Sequence, residues 1–290
     1  MADFFRKFNS YFVAAATIIS TFFCVLSAQT TVFADLSYGT SASQKIDIYL
    51  PKDTSACSAV IVYIHGGGWI EGDKGKYAEK CRNAAEDGYA AVTMNYRLTS
   101  EGADWKDMLD DITSVLKLVK TIAAGKGITL KRAALSGASS GGNLSMLYAY
   151  RNKNISPLKI VFCASQSGPS DFSDINYFKQ NSRMYSLVSG LIGRPFNKNT
   201  FMQVASDLKA ASPVHYITEN SPPTLIAQGR KDATVLYTQA TDVYKAMTKA
   251  GAVCDLVLYP NSGHKLTDDP ECCRHYYKLF KEYETKYFGY

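Results

Sequence analysis

Histidine is scarce in this sequence, with 4 among 290 residues, and no Cys or His pair stands at zinc-finger spacing, so a metal site is not expected. Blocks of like charge are missing too. Lysine and arginine are spread along the chain, and the net charge of +6 reads as a soluble surface with excess lysine, not as a nucleic-acid face. Internal repeats and low-complexity linkers are absent, which leaves one domain of catalytic size. Charge is lacking altogether from Phe8 to Ala34. Arg6 and Lys7 precede this run, and Val32-Phe33-Ala34 closes it before Asp35, so residues 1–34 are expected to be a secretory signal peptide cleaved after Ala34. An uncleaved anchor is the competing reading, because the run approaches the ~20 residues that span a bilayer. Both readings put residues 35–290 outside the cytoplasm, and membrane contact is expected only without cleavage. Beyond Cys24, the six cysteines Cys57, Cys81, Cys163, Cys254, Cys272 and Cys273 could pair in an oxidising compartment. Cys163 and Cys254 sit in apolar runs and read as buried thiols.

What the chain does have is alternation. Short apolar runs start at Ala59, Tyr89, Lys131, Leu158, Pro223 and Cys254, and fit strands buried on both faces. Gln44 to Leu50 alternates as a half-exposed strand near a sheet edge would. Between these runs lie amphipathic stripes: Trp105, Met108, Leu109, Ile112, Val115, Leu116 and Val119 with Asp104 as cap; Leu236, Ala240, Val243, Tyr244 and Met247; and Tyr276, Phe280, Tyr283 and Tyr287. The pattern predicts an α/β fold, a mostly parallel central sheet with helices on both faces. Residues 170–221 break the rhythm and are expected to form a small helical cap insertion.

"GASSG", Gly137 to Gly141, places Ser139 between a strand and a helix. Glycines at both ends allow the sharp turn that lifts a serine hydroxyl to the strand ends, beside a helix N-terminus that favours negative charge. A serine needs a base. His264 in "SGHKL" follows the last strand and can reach Ser139, whereas His215 and His275 read as surface or packing residues. Asp232, in the loop after the preceding strand, is the expected acceptor for the base. "IHGGGWIEGDK", Ile64 to Lys74, brings three glycines after a buried strand. The amides of Gly67 and Gly68, with that of Ser140, are expected to form an oxyanion hole, and His65 to orient their loop by hydrogen bonding. Such a site requires neither cofactor nor metal. Asp171 and Asp174 read as loop caps, with a place facing the cleft as the alternative.

HGGGW, "NYRL" at Asn95 to Leu98, GASSGG, "GRKDATV" and "SGHKL" together resemble the secreted serine carboxylesterases of the α/β-hydrolase superfamily, in particular the feruloyl/acetyl esterase group and its hormone-sensitive-lipase-like relatives. The resemblance covers Gln44 to the C-terminus. Around the nucleophile the lipase-like relatives usually read Asp-Ser-Ala, where this chain has Ala138-Ser139-Ser140. The resemblance implies hydrolysis of carboxylic esters, with acetyl or feruloyl groups on carbohydrate as substrate. It also implies a structural role for Arg97, paired with Asp110 or Asp111. The alternatives are a peptidase of the prolyl-oligopeptidase type and a non-catalytic binding protein on the same scaffold.

Overall fold

A computed structural model describes residues 30–289. The strands are β1 (Thr31–Ser37), β2 (Lys45–Leu50), β3 (Ala59–Ile64), β4 (Ala90–Met94), β5 (Arg132–Ala138), β6 (Lys159–Gln166), β7 (Thr224–Gly229) and β8 (Cys254–Tyr259). The helices are α1 (Ala78–Glu86), α2 (Trp105–Ala124), α3 (Ser140–Arg151), α4 (Ile175–Gln180), α5 (Arg183–Leu191), α6 (Ala205–Ala210), α7 (Tyr237–Ala250) and α8 (Pro270–Phe288). The eight strands form one sheet in the order β1-β2-β4-β3-β5-β6-β7-β8. From β4 to β8 all pairs are parallel, while β1–β2 and β2–β4 are antiparallel.

Both faces of the sheet are covered, which is why strands such as β3 and β7 are buried along their whole length. On one face, α2 buries all seven residues of its predicted stripe, and the Asp104 carboxylate caps its start by accepting from the amides of Lys106 and Asp107. On the other face, α1 and α8 pack Cys81, Ala84, Tyr276, Phe280 and Tyr283 against Ile61, Phe162 and Leu225. Tyr244 departs from its predicted stripe: α7 leaves it at the surface.

The segment between β6 and β7 contains α4, α5, α6 and short 3-10 turns. Its aromatic residues form a small core of their own, with Phe178 against Tyr185, Phe196 and Phe201.

One difference from the sequence reading lies at the start of the chain, in β2. The expected signal peptide falls almost wholly outside the described residues, but Thr31 to Ala34 belong to β1, and a cut after Ala34 would divide this strand. β2 is not half-exposed: Ile46, Ile48 and Leu50 pack in the core with α2 and Tyr49 with α1, while β1 pairs along its outer edge from Thr31↔Leu50 to Ser37↔Lys45. Asp35 and Asp47 both hold the Lys74 ammonium, at 2.8 and 2.7 Å, and tie the outer strands to the loop after β3. Among the described residues no helix is long and apolar enough to cross a membrane. The six described cysteines are free thiols; burial pushes Cys163 up to about 11.

Candidate active site

Parallel register brings the candidate residues to one rim. Ile64 pairs with Gly137 and Gly229 with Tyr259, so the loops after β3, β5, β7 and β8 all emerge at the same edge of the sheet. Ser139 stands between β5 and α3 with φ 54° and ψ −123°, a strained conformation for a residue with a side chain. The turn closes because its glycines lack side chains. A Cβ on Gly141 would lie 2.1 Å from the Ile64 carbonyl oxygen, and one on Gly137 2.3 Å from the Gly141 carbonyl oxygen.

His264 Nε2 lies 3.0 Å from Ser139 Oγ, and His264 Nδ1 lies 2.7 Å from Asp232 Oδ2. The three side chains predicted to meet do so across 125 and 32 residues of sequence. The Asp232 side chain is fully buried, and each oxygen is engaged. Oδ1 accepts from the amides of Thr234 and Val235, and Oδ2 from Gln228 Nε2. The loop carrying His264 is fixed by Asp269, which accepts from the Asn261 and Ser262 amides and the Ser262 hydroxyl. Burial pushes the Asp269 carboxyl up, but these hydrogen bonds, the Ser262 hydroxyl foremost, hold it below the usual carboxylate range.

Gly66 packs directly on the nucleophile turn, where a Cβ would sit 2.7 Å from the Ala138 carbonyl oxygen and 3.1 Å from Ser139 Cβ. Gly67 and Gly68 follow with φ 135° and 62°. The Gly67 carbonyl accepts from the Ile70 and Glu71 amides, while among the described residues the N–H groups of Gly67 and Gly68 donate to no backbone carbonyl. Ser140 opens α3, where an amide has no partner within the helix. His65 is buried, stacks on Tyr96 at 4.4 Å and sits 3.0 Å from the Gly66 carbonyl oxygen through Nδ1. Burial holds its imidazole below the usual histidine range. Tyr96 completes the support by donating to the His65 carbonyl, with Ser140 Oγ at 3.4 Å.

Arg97 pairs with Asp111 and Asp107; Asp110 is not its partner. Asp171 and Asp174 cap their own loops, the latter at the start of α4, and His215 bonds the Ser173 hydroxyl away from the Ser139 turn. Two groups escaped the sequence reading. Gln228 lies inside β7 among apolar neighbours, where only its place four residues before Asp232 hinted at a role. Trp69 and Tyr177 are joined through Phe172, with ring centroids 5.9 and 6.3 Å apart, and bury an indole N–H and a hydroxyl with no hydrogen-bond partner. Helix α4 thus spans from the glycine loop to the Asp232 loop, where Asn181 donates to the carbonyl of Thr234. Among the described residues no group of acidic, His and Cys side chains is arranged to hold a metal ion.

Comparison with known proteins places this geometry in a family. The BD-FAE family model matches residues 46–247, a span that includes the glycine loop, Ser139 and Asp232 and ends before His264. The probable carboxylic ester hydrolase LipM of Mycobacterium tuberculosis is 27% identical over 213 residues, covering 71% of this chain and 49% of that protein. The probable isoprenylcysteine alpha-carbonyl methylesterase ICMEL1 of Oryza sativa subsp. japonica is 24% identical over 241 residues, covering 78% and 55%. The chain spans about half the length of these curated relatives. Among solved structures, a truncated carbohydrate esterase from gut microbiota has a TM-score of 0.74 at 21% identity, covering 90% of this chain and 99% of that one. Esterase B from Lactobacillus rhamnosis has a TM-score of 0.70 at 20% identity, covering 88% and 85%. The likeness to these solved structures is one of fold, and it agrees with the mostly parallel sheet flanked by helices. The chain has the α/β-hydrolase fold and belongs to the BD-FAE family.

Proposed function

We propose that the protein is a serine esterase that hydrolyses carboxylic esters through Ser139, His264 and Asp232. The observation that carries this reading is the continuous relay of 2.7 and 3.0 Å contacts from Asp232 through His264 to Ser139. Ser139 Oγ attacks the ester carbonyl carbon while His264 Nε2 takes the hydroxyl proton. The carbonyl oxygen becomes an oxyanion, held by the amides of Gly67, Gly68 and Ser140, and Asp232 stabilises the imidazolium. As the carbon–oxygen ester bond breaks, His264 returns the proton to the departing alcohol. Water then attacks the acyl-serine by the same route, releasing the acid and restoring Ser139.

The substrate we favour is an acetyl or feruloyl ester of carbohydrate, and the site of action is outside the cytoplasm. Similarity to a protein described as a carbohydrate esterase supports the first, and the uncharged N-terminal run the second. The test is labelling with a serine-directed phosphonate and mapping of the adduct by mass spectrometry, with parallel assays on acetyl, butyryl and feruloyl esters. A single adduct on Ser139, absent from Ser139→Ala, is expected, together with a fall in turnover of about 10⁶-fold. An adduct elsewhere, or turnover that survives Ser139→Ala, would exclude the assignment.

A further inference from the structure

A second cleft, with a volume of ≈ 90 Å³, lies on the α1–α8 side of the sheet and opens to the surface. Tyr63 of β3 and Ser136 of β5 form its floor, and Ser136 is three residues upstream of Ser139, about 10 Å along the strand. Ala84 and Lys80 of α1 and Tyr276 and Phe280 of α8 form its walls.

Three features mark this cleft as built to hold something. First, Tyr63, Ser136 and Tyr276 are 4%, 5% and 2% exposed, yet none of their hydroxyls makes a hydrogen bond within the described residues. These hydroxyls line the cleft without a protein partner, so their hydrogen bonds go to water or to a ligand that displaces it. Second, Lys80 is held over the rings of Tyr77 and Tyr277, at 5.3 and 5.5 Å, with no carboxylate in ion-pair reach among the described residues. Lys281 at the same mouth is different, engaged by Asp87 at 2.5 Å and Glu284 at 2.8 Å. Third, Tyr277 and Phe280 join Tyr63 and Tyr276 in the lining, so aromatic rings supply most of its apolar surface. A cation without a carboxylate partner at the rim, aromatic walls in the middle and hydroxyls at the floor describe the ligand's chemistry in order.

We propose that this cleft binds a small hydroxylated aromatic carboxylate, its ring between Tyr63, Ala84 and Phe280, its carboxylate on Lys80 and its hydroxyl on Ser136 and Tyr276. The site is separate from the Ser139 rim and does not depend on the esterase reading.

Calorimetric titration of the full chain with 4-hydroxybenzoate, and with 4-hydroxybenzyl alcohol as its uncharged counterpart, tests the assignment. The acid is expected to saturate a single site and to bind roughly tenfold or more tightly than the alcohol, as a charge-assisted contact requires. In Lys80→Met that preference should vanish while binding of the alcohol persists. Ala84→Leu, which fills the cleft, should remove both. Unchanged thermal unfolding of Lys80→Met shows that the fold is intact, so the result stands even if Ala84→Leu folds poorly. No saturable binding, an acid preference that survives Lys80→Met, or a crystal structure with the acid at Ser139 alone would each overturn the proposal.

Discussion

Gln228 Nε2 donates to Asp232 Oδ2 at 3.0 Å, the same oxygen that faces His264 Nδ1. Gln228 is itself pinned by a second bond to the Val235 carbonyl, so the carboxylate that orients the imidazole is oriented in turn from inside β7. Asp232→Asn should lower kcat by about 10⁴-fold, because an amide in that place presents the wrong hydrogen-bonding pattern to His264. Gln228→Met leaves the carboxylate present but less well aimed, and a fall of roughly tenfold is expected, with KM unchanged. Steady-state kinetics on one soluble ester compares the two variants.

The turn around Ser139 has no room for a methyl group. Gly141→Ala would push a Cβ against the backbone carbonyl of Ile64, in a contact between two rigid elements that no side-chain rotation relieves. Denaturant unfolding should show a loss of about 3 kcal/mol, and ester turnover should fall with it.

Tyr177 offers the opposite case. Its hydroxyl is buried without a partner, and the nearby Asp232 adds to the burial that keeps it protonated. Removing an unsatisfied group costs the fold nothing, so Tyr177→Phe should melt at the same temperature as the parent or slightly higher. If the hydroxyl meets substrate, KM for polar esters rises while kcat holds; the melting curve and the kinetics are read on the same preparation.

Glu284 gives a pH signature. Burial raises its carboxyl above the usual range, more than Lys281 lowers it. The folded state therefore holds this proton more tightly than the unfolded chain, and stability falls as pH rises from the ordinary glutamate range through the raised value. Glu284→Gln should unfold at a higher temperature than the parent at pH 8, with the gain shrinking as the pH is lowered towards 4.

The outer strand can be tested by truncation. A chain beginning at Asp35 keeps the Lys74 ion pair but loses the pairings of Thr31, Val32 and Phe33 with β2. It should melt below a chain beginning at residue 30. Equal melting temperatures would show that the first half of β1 adds nothing.

Much of this architecture was legible because burial on two faces leaves a simple trace. Six apolar runs became β3 to β8, although β8, expected to be buried on both faces, is a half-buried edge strand, and the stripe from Trp105 to Val119 became the buried face of α2. Ser139, Asp232 and His264 were legible for another reason: each follows a strand of the parallel part of the sheet, and parallel strands deliver their loops to one rim. β1 was not legible, since it is an edge strand paired with β2 alone and its side chains are mostly exposed, so its apolar residues merged with the uncharged run before them. Gln228 was hidden by its neighbours, and the Tyr63–Ser136–Tyr276 group by distance, since its members come from three elements and share no spacing.

Leu187 of α5 rests over the glycine loop so closely that a Cβ on Gly68 would lie 3.3 Å from its Cδ2. Position 68 is thus reserved for glycine from two directions, by a left-handed φ of 62° and by the Leu187 methyl above it, so any larger residue there would displace the helix or bend the loop.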